Sequence, residues 1–480
     1  MACGDASVAD TTSEVLVVVD EVPLEQLEGP ALLARISLDL VGRRPTLDEL
    51  DRYEGDADEL DALIEEYLAD PAFAERMGWL WNDAFHTAVF AEDYRRFDEL
   101  PAEVWQAMGW EPLAMVALVV DRDLDFSALV TSQQTAANGA LASFYPVDYE
   151  GEDWGWADYD DGRPMAGALS STTLWLRYSG DATNYNRARA NAASRIFLCG
   201  DFLERDGGFE FALDPDVLNN VEHAVTTEGA CLTCHAALDP LATAFGGFAE
   251  LSDSLPAEQY LRWSAQTDAW YSAHLPPAYF GLPATLEEMG PMMAADPRFA
   301  RCAVQRFHEG LVGAPPDAAE HAVLTADFVG SGMVARELVR DIVASEVYRE
   351  VTPRLLTTEQ LHGSLSTSLG LSFDVLEPLL WEPEMRVLAG GTDDVVVLEP
   401  NLVPAVGREA ALLWAAREGV PESTIVDNSA PVEDEVARLV RVFLSVEDPE
   451  TIDGLVALQA AYGWDAVLEA LVRHPLGGSH

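Results

Sequence analysis

From about residue 31 the apolar side chains recur at helical spacing almost throughout the chain. Leu33, Ile36, Leu40 and Val41 form one stripe, which Gly42-Arg43-Arg44-Pro45 stops. Thr46 with Glu49 reads as a capping box that opens a second helix. A third helix, Leu60 to Leu68, runs up to Asp70-Pro71, where Asp caps the next helix and Pro occupies its first turn. Asp296-Pro297 repeats the device; it reads as a recurring helix start, with an internal repeat as the weaker reading. Residues 112–130 predict another amphipathic helix. Residues 147–161 break the pattern with seven acids among Tyr149, Trp154, Trp156 and Tyr159, and predict a loop. Its carboxylates lack EF-hand spacing, so a solvated acidic loop is expected there in preference to a Ca2+ site.

Helical periodicity resumes near 186 and again from 216, 285, 298, 334, 357, 405, 433 and 452. A hairpin is expected around Gly390-Gly391 and Val395 to Leu398, and no strand–helix alternation suggests a nucleotide-binding sheet. The fold class is mainly α and multi-helical. The segments divide as 1–30, an acidic tether in which Val15 to Val19 could pair as a short strand; 31–150, an N-terminal helical domain; 151–215, the acidic loop and a following helix; 216–355, a central domain; and 356–480, a C-terminal helical domain.

Charge narrows the function. Eighty-three Asp and Glu face 28 basic residues, every one of them Arg, for a net charge of −55. Such a surface repels phosphate backbones, which excludes nucleic acid as a partner. The absence of Lys removes any Schiff-base or P-loop lysine and the lysine ring by which many soluble cytochromes dock, so a redox partner should be basic or neutral at its docking surface. Adaptation to salt explains the composition without reference to chemistry. No apolar run reaches 18 residues, so no transmembrane segment is expected. The Met-Ala-Cys start leaves two readings open: a natural cytosolic start, or a mature lipoprotein whose signal peptide was replaced, with Cys3 as the acylation site of a lipid anchor.

One motif is chemically specific. Cys231-Leu232-Thr233-Cys234-His235 matches the Cys-x-x-Cys-His pattern of covalent haem attachment, a match expected by chance about once in a thousand chains of this Cys and His content. One helical turn sets both sulfurs against the two vinyl carbons, and the next residue turns its imidazole beneath the iron. Cys231 and Cys234 are then the thioether residues of one covalent haem c, and His235 is the proximal ligand. A redox dithiol and a zinc site are the alternatives; the first wants a βαβ setting, and the second has only His223 nearby, with Cys199 and Cys302 remote. Thioether formation in bacteria places the protein outside the cytoplasm, in the periplasm or cell envelope.

Around this motif the chain resembles the planctomycete-type cytochrome c proteins, also abundant in myxobacteria, whose companion domains are mostly of unknown function. The resemblance rests on Cys231 to Leu241, on Ile36 to Thr46, on Asn184 to Arg189 with Phe197-Leu198-Cys199, on Tyr279-Phe280-Gly281, on Asp296 to Cys302, and on Leu356 to Leu361. It implies a cytochrome c-like haem segment embedded in a larger helical scaffold.

The sixth iron position is open between Met289, Met292 and Met293, which also read as helix core, and His274, or it is left to water. Arg187 and Arg189 are the candidate haem-propionate partners, with ordinary salt bridges as the alternative. Cys199 and Cys302, the two Cys remaining, are expected to pair as a disulfide in an oxidising compartment; two separate buried thiols are the alternative. The functional expectation is an extracytoplasmic monohaem cytochrome that transfers single electrons. A haem enzyme with an open distal face, acting on peroxide, and an envelope binding scaffold with a structural haem are its rivals.

Overall fold

The structure, a computed structural model, describes residues 26–53, 56–88, 100–180, 185–202, 229–248, 261–350, 354–390, 405–446 and 448–474. The chain is mainly α, as its periodicity predicts. Helices α1 (Gly29–Val41), α2 (Leu47–Tyr53), α3 (Ala57–Ala69) and α4 (Pro71–Phe85) follow one another through short turns. Gly42 ends α1 at φ 70, a left-handed conformation that glycine adopts without a Cβ clash. Thr46 and Glu49 exchange the two capping hydrogen bonds, at 2.6 and 3.3 Å. Asp70 accepts from the Ala72 amide at 2.8 Å and opens α4.

Helix α5 (Ala102–Asp121) differs from the expected span of 112–130. It continues past Pro112 toward the N-terminus and stops at Asp121, and Ala128–Thr131 forms a separate turn. The reason is burial on every side: residues from Val104 to Val120 are packed around the whole circumference, so the helix has no polar face to read. The acidic segment also departs from expectation. Thr135–Ala137 (β1), Val147–Asp148 (β2) and Gly155–Tyr159 (β3) form a small antiparallel sheet in the order β1-β3-β2. Alternation drives it, since Ala157 turns inward while Asp158 faces solvent.

Then come α6 (Arg187–Leu198), α7 (Gly229–Thr243) and α8 (Ala265–His274), the two-stranded β4 (Ala278–Tyr279) and β5 (Leu282–Pro283), and α9 (Leu286–Ala294), α10 (Pro297–Val312), α11 (Ala318–Gly330) and α12 (Ala335–Ala344). The last group is α13 (Thr358–Leu369), α14 (Ala405–Gly419), α15 (Val432–Leu444), α16 (Pro449–Tyr462) and α17 (Trp464–Val472). The expected strand at 15–19, the hairpin strand at 395–398 and the start of a helix at 216 fall outside the described residues.

One large core draws side chains from Leu32 through Tyr348, and Leu380 beyond them, with Trp81, Phe126 and Phe307 in mutual ring contact. A second core joins α13 to α17, and Leu38 of α1 belongs to it. Helix α1 therefore serves both cores. Its Asp39, fully buried, accepts hydrogen bonds from Arg354, Tyr348 and Gln360 at 2.8 to 3.3 Å. Neighbouring Arg35 donates to the Glu350 and Leu311 carbonyls. Among the described residues no helix is long and apolar enough to cross a membrane.

Candidate functional site

Helix α7 carries Cys231, Cys234, His235 and Asp239. The i,i+4 spacing stacks Asp239 one turn beyond His235, and His235 Nδ1 lies 2.8 Å from Asp239 Oδ1. The same carboxylate is gripped by Arg187 from the start of α6, Nε donating at 2.7 Å and Nη2 at 3.0 Å. Burial works to raise the Asp239 carboxyl, but the bonds from His235 and Arg187 outweigh it and hold the group below the usual carboxylate range. With Nδ1 donating to a carboxylate, His235 is fixed in orientation and its Nε2 is left with the lone pair.

Cys234 is half-buried against the main core, its sulfur 4.0 Å from the Phe202 carbonyl oxygen. Cys231 lies on the same helix, one turn earlier; its side chain falls outside the described part, as do Cys3 and His223. Pro240, inside α7 and just after Asp239, has no N–H to give the Ala236 carbonyl, and the helix continues past it to Thr243.

Arg187 and Arg189 part company. Arg189 is buried and donates to Asn186 Oδ1 at 2.6 Å and to the Phe248 and Trp175 carbonyls at 3.1 and 3.2 Å. Its guanidinium faces inward and clamps backbone. Arg187 is bound to Asp239 and stacks over Tyr185 at 5.4 Å.

The far end of α6 is tied as well. Cys199, its left-handed C-cap at φ 49, forms a disulfide with Cys302 of α10, with 5.3 Å between the Cα atoms. Helix α6 is thus held at one end by Asp239 and at the other by a covalent bond.

The candidate distal ligands separate too. Met289 and Met293, each 1% exposed, belong to the main core, and Met292 packs against it. Their helix is pressed onto the Ala128–Thr131 turn so closely that a Cβ on Gly290 would lie 2.0 Å from the Val130 carbonyl oxygen. His274 instead lines a cavity of about 260 Å3 together with Tyr185, Arg187, Asp239, Trp270 and Tyr271. His274 is exposed, and its Nδ1 meets the Trp270 carbonyl at 2.7 Å, so Nδ1 donates and Nε2 is again left with the lone pair. The structure brings Asp239, Arg187 and His274 to one cavity, with His235 reaching it only through its bond to Asp239, and sets the three Met apart from it.

Two carboxylates with an organising role are not evident from motif spacing. Asp239 could have been found as the i+4 partner of His235. Glu111, fully buried in α5, accepts from Thr135, Tyr159, Ser171 and the Thr173 amide at 2.5 to 3.0 Å, and its partners lie too far along the chain to be read.

Residues 16–141 match the family described as PSCyt2, "Protein of unknown function (DUF1549)". That family has no assigned function. No curated protein and no solved structure matches the chain. The matched stretch holds α1 to α5, with Asp39, and ends before α7 begins. The resemblance to cytochrome c domain proteins is therefore corrected. The similarity found is to a family of unknown function, and among the described residues no group of three or more His, Cys, Asp or Glu stands where it could hold a metal. Any haem assignment rests on α7 and its neighbours.

Proposed function

We propose that α7 holds one covalently attached haem and that the protein transfers single electrons outside the cytoplasm. The observation that carries this reading is the orientation of His235 within the Cys231-x-x-Cys234-His235 motif: a carboxylate one turn away takes Nδ1 and leaves Nε2 free to ligate. The donor set fits the group. Cys231 and Cys234 would supply the thioether sulfurs and His235 Nε2 the proximal bond, and His274, whose Nε2 carries the lone pair and which lines a cavity with Arg187 and Asp239, would be the second ligand. When bound, the haem would supply a one-electron couple. The chain's own residues do the rest: Arg187 fixes Asp239, Asp239 fixes the imidazole, and the Cys199–Cys302 bond ties the far end of α6 to α10.

The disulfide supports an oxidising compartment, in keeping with an envelope location. At a net charge of −55, the redox partner would be a protein with a basic or neutral docking surface. A lipid anchor at Cys3 belongs to the same proposal.

One observation favours a second reading, a haem enzyme acting on peroxide. A carboxylate on the proximal Nδ1 makes the imidazole a stronger donor and stabilises the oxidised iron, which suits an open distal face better than a high-potential carrier.

The test is to express the full chain with a cytochrome c maturation system. One haem that survives acid denaturation is expected, and Cys231→Ser with Cys234→Ser should abolish it. A native mass equal to the bare polypeptide would overturn both readings. A low-spin ferric spectrum unaffected by cyanide supports electron transfer, and a high-spin form that binds cyanide supports the enzyme.

A further inference from the structure

Helices α1 and α13 are forced together at one point: a Cβ on Gly363 would lie 2.2 Å from the Gly42 carbonyl oxygen. Beside that contact α4 and α13 enclose a cavity of about 390 Å3, remote in sequence from α7. Its apolar wall includes Trp79, Phe373 and Leu380, and its polar lining includes Arg76 and Ser366.

Arg76 is only 4% exposed, and its Nε and Nη1 are buried with no hydrogen-bond partner. A guanidinium does not shed its proton to escape this cost. The carboxylates at hand do not relieve it. Glu359 is held 2.7 Å from Arg386, and Glu75 is exposed at the mouth. Burial would raise the Glu359 carboxyl, but Arg386 and, more weakly, Arg76 hold it below its usual range; Asp83 feels the same two guanidinium groups at longer range, but burial and Glu359 push its own carboxyl up to about 7, so it gives Arg76 no full counter-charge. His362 adds no charge: burial lowers its pKa, and its Nε2 donates to the Phe373 carbonyl at 3.0 Å. The Ser366 hydroxyl is likewise buried and without a partner.

The cavity thus offers one guanidinium with no hydrogen-bonded counter-ion, one unused hydroxyl and an apolar wall. We infer that it binds a small organic monocarboxylate, with the carboxylate on Arg76 and the apolar body against Trp79, Phe373 and Leu380. A single negative charge matches the single excess guanidinium, whereas a dianion would face Glu359 and Glu75. The inference does not depend on haem at α7.

The experiment is calorimetric titration of the full chain, at constant chloride, with 3-phenylpropionate and with 3-phenylpropionamide, alongside thermal unfolding. The acid should bind saturably at one site and raise the unfolding temperature, and the amide should do neither. Arg76→Met should weaken binding of the acid at least tenfold, and without ligand should unfold at the same temperature as wild type or higher, because it removes an unpaired buried charge. Ser366→Ala should keep the fold and weaken binding severalfold. Equal binding of acid and amide, no saturable binding of the acid, or destabilisation of the free protein by Arg76→Met overturns the inference. So does protection by chloride alone that disappears in Arg76→Met, which would make this an inorganic-anion site.

Discussion

Replacing Asp239 by Asn isolates the clamp on which the functional reading depends. The carboxylate receives Arg187 Nε and Nη2 at 2.7 and 3.0 Å and His235 Nδ1 at 2.8 Å, and the three side chains are only 19 to 22% exposed. Asn keeps one acceptor oxygen but turns an NH2 group toward one of these donors. One charge-assisted bond is lost and the other weakened; such bonds contribute about 1.5 to 3 kcal/mol each when buried, so with partial exposure the expected cost is about 2 kcal/mol. The pH dependence has a definite sign. Since the folded pKa of Asp239 is depressed, its stabilisation is complete above the unfolded value of about 3.9 and is lost as pH falls through the folded pKa. The stability gap between wild type and Asp239→Asn should therefore hold above about pH 5 and close in more acidic solution. With a net charge of −55, removing any carboxylate relieves repulsion, so exposed Asp61→Asn is the control, with salt at 0.15 M and 1 M. Urea unfolding followed by circular dichroism reads the result. If Asp239→Asn is as stable as Asp61→Asn at neutral pH, or if the gap persists in acid, the clamp has been misread. In haem-loaded protein the same change should raise the midpoint potential, because His235 becomes a poorer donor.

Three further outcomes follow from other parts of the molecule. Removing the Cys199–Cys302 bond by Cys302→Ala, which opens a loop of 103 residues, should cost about 4 to 5 kcal/mol in the chain-entropy account and lower the urea midpoint; an unchanged midpoint would count against it. Asp39→Ala should cost about 3 to 5 kcal/mol, because it leaves the Arg354 guanidinium, Tyr348 hydroxyl and Gln360 amide facing a lost acceptor, and a loss under 1 kcal/mol by urea unfolding would refute that role. In haem-loaded protein His274→Ala should shift the spectrum toward high spin, whereas Met289→Ala should leave the spectrum alone and cost about 2 to 5 kcal/mol of stability; the reverse pattern would make Met289 the ligand.

What the sequence makes legible is whatever closes within a few residues. The Thr46–Glu49 box, the Asp70 and Asp296 caps and the Thr285–Glu288 box all act over two or three positions, and all are formed. Asp448-Pro449 is the same signal, and Asp448 caps the Thr451 amide at 2.9 Å. Strand β3 is harder to read, because seven acids mask a short alternation that matters only once β1 lies beside it. Helix α5 misleads for the opposite reason: buried on all faces, it shows no periodic edge, and Pro112 reads as a boundary. Glu111 is invisible as a hub because its partners stand 24 to 62 residues away. At the candidate site, the Cys-x-x-Cys-His motif and the i,i+4 partner of His235 are local. The Arg187 grip and the nearness of His274 depend on how α6 and α8 pack on α7.

The double allegiance of α1 bears on how the chain comes to be folded. On the ribosome α1 is made early, yet the groups that complete Arg35 and Asp39 lie 276 to 321 residues downstream. Until Arg354 and Gln360 emerge, a nascent chain must carry a helix whose charged side chains lack their final partners and whose Leu38 has no core to enter. Closure of both cores is therefore a late, non-local event, slow by the ordinary dependence of folding rate on contact order. A chain truncated before residue 354 should leave these groups unserved in its first helix, and that helix would be the place where a folding chaperone has most to hold.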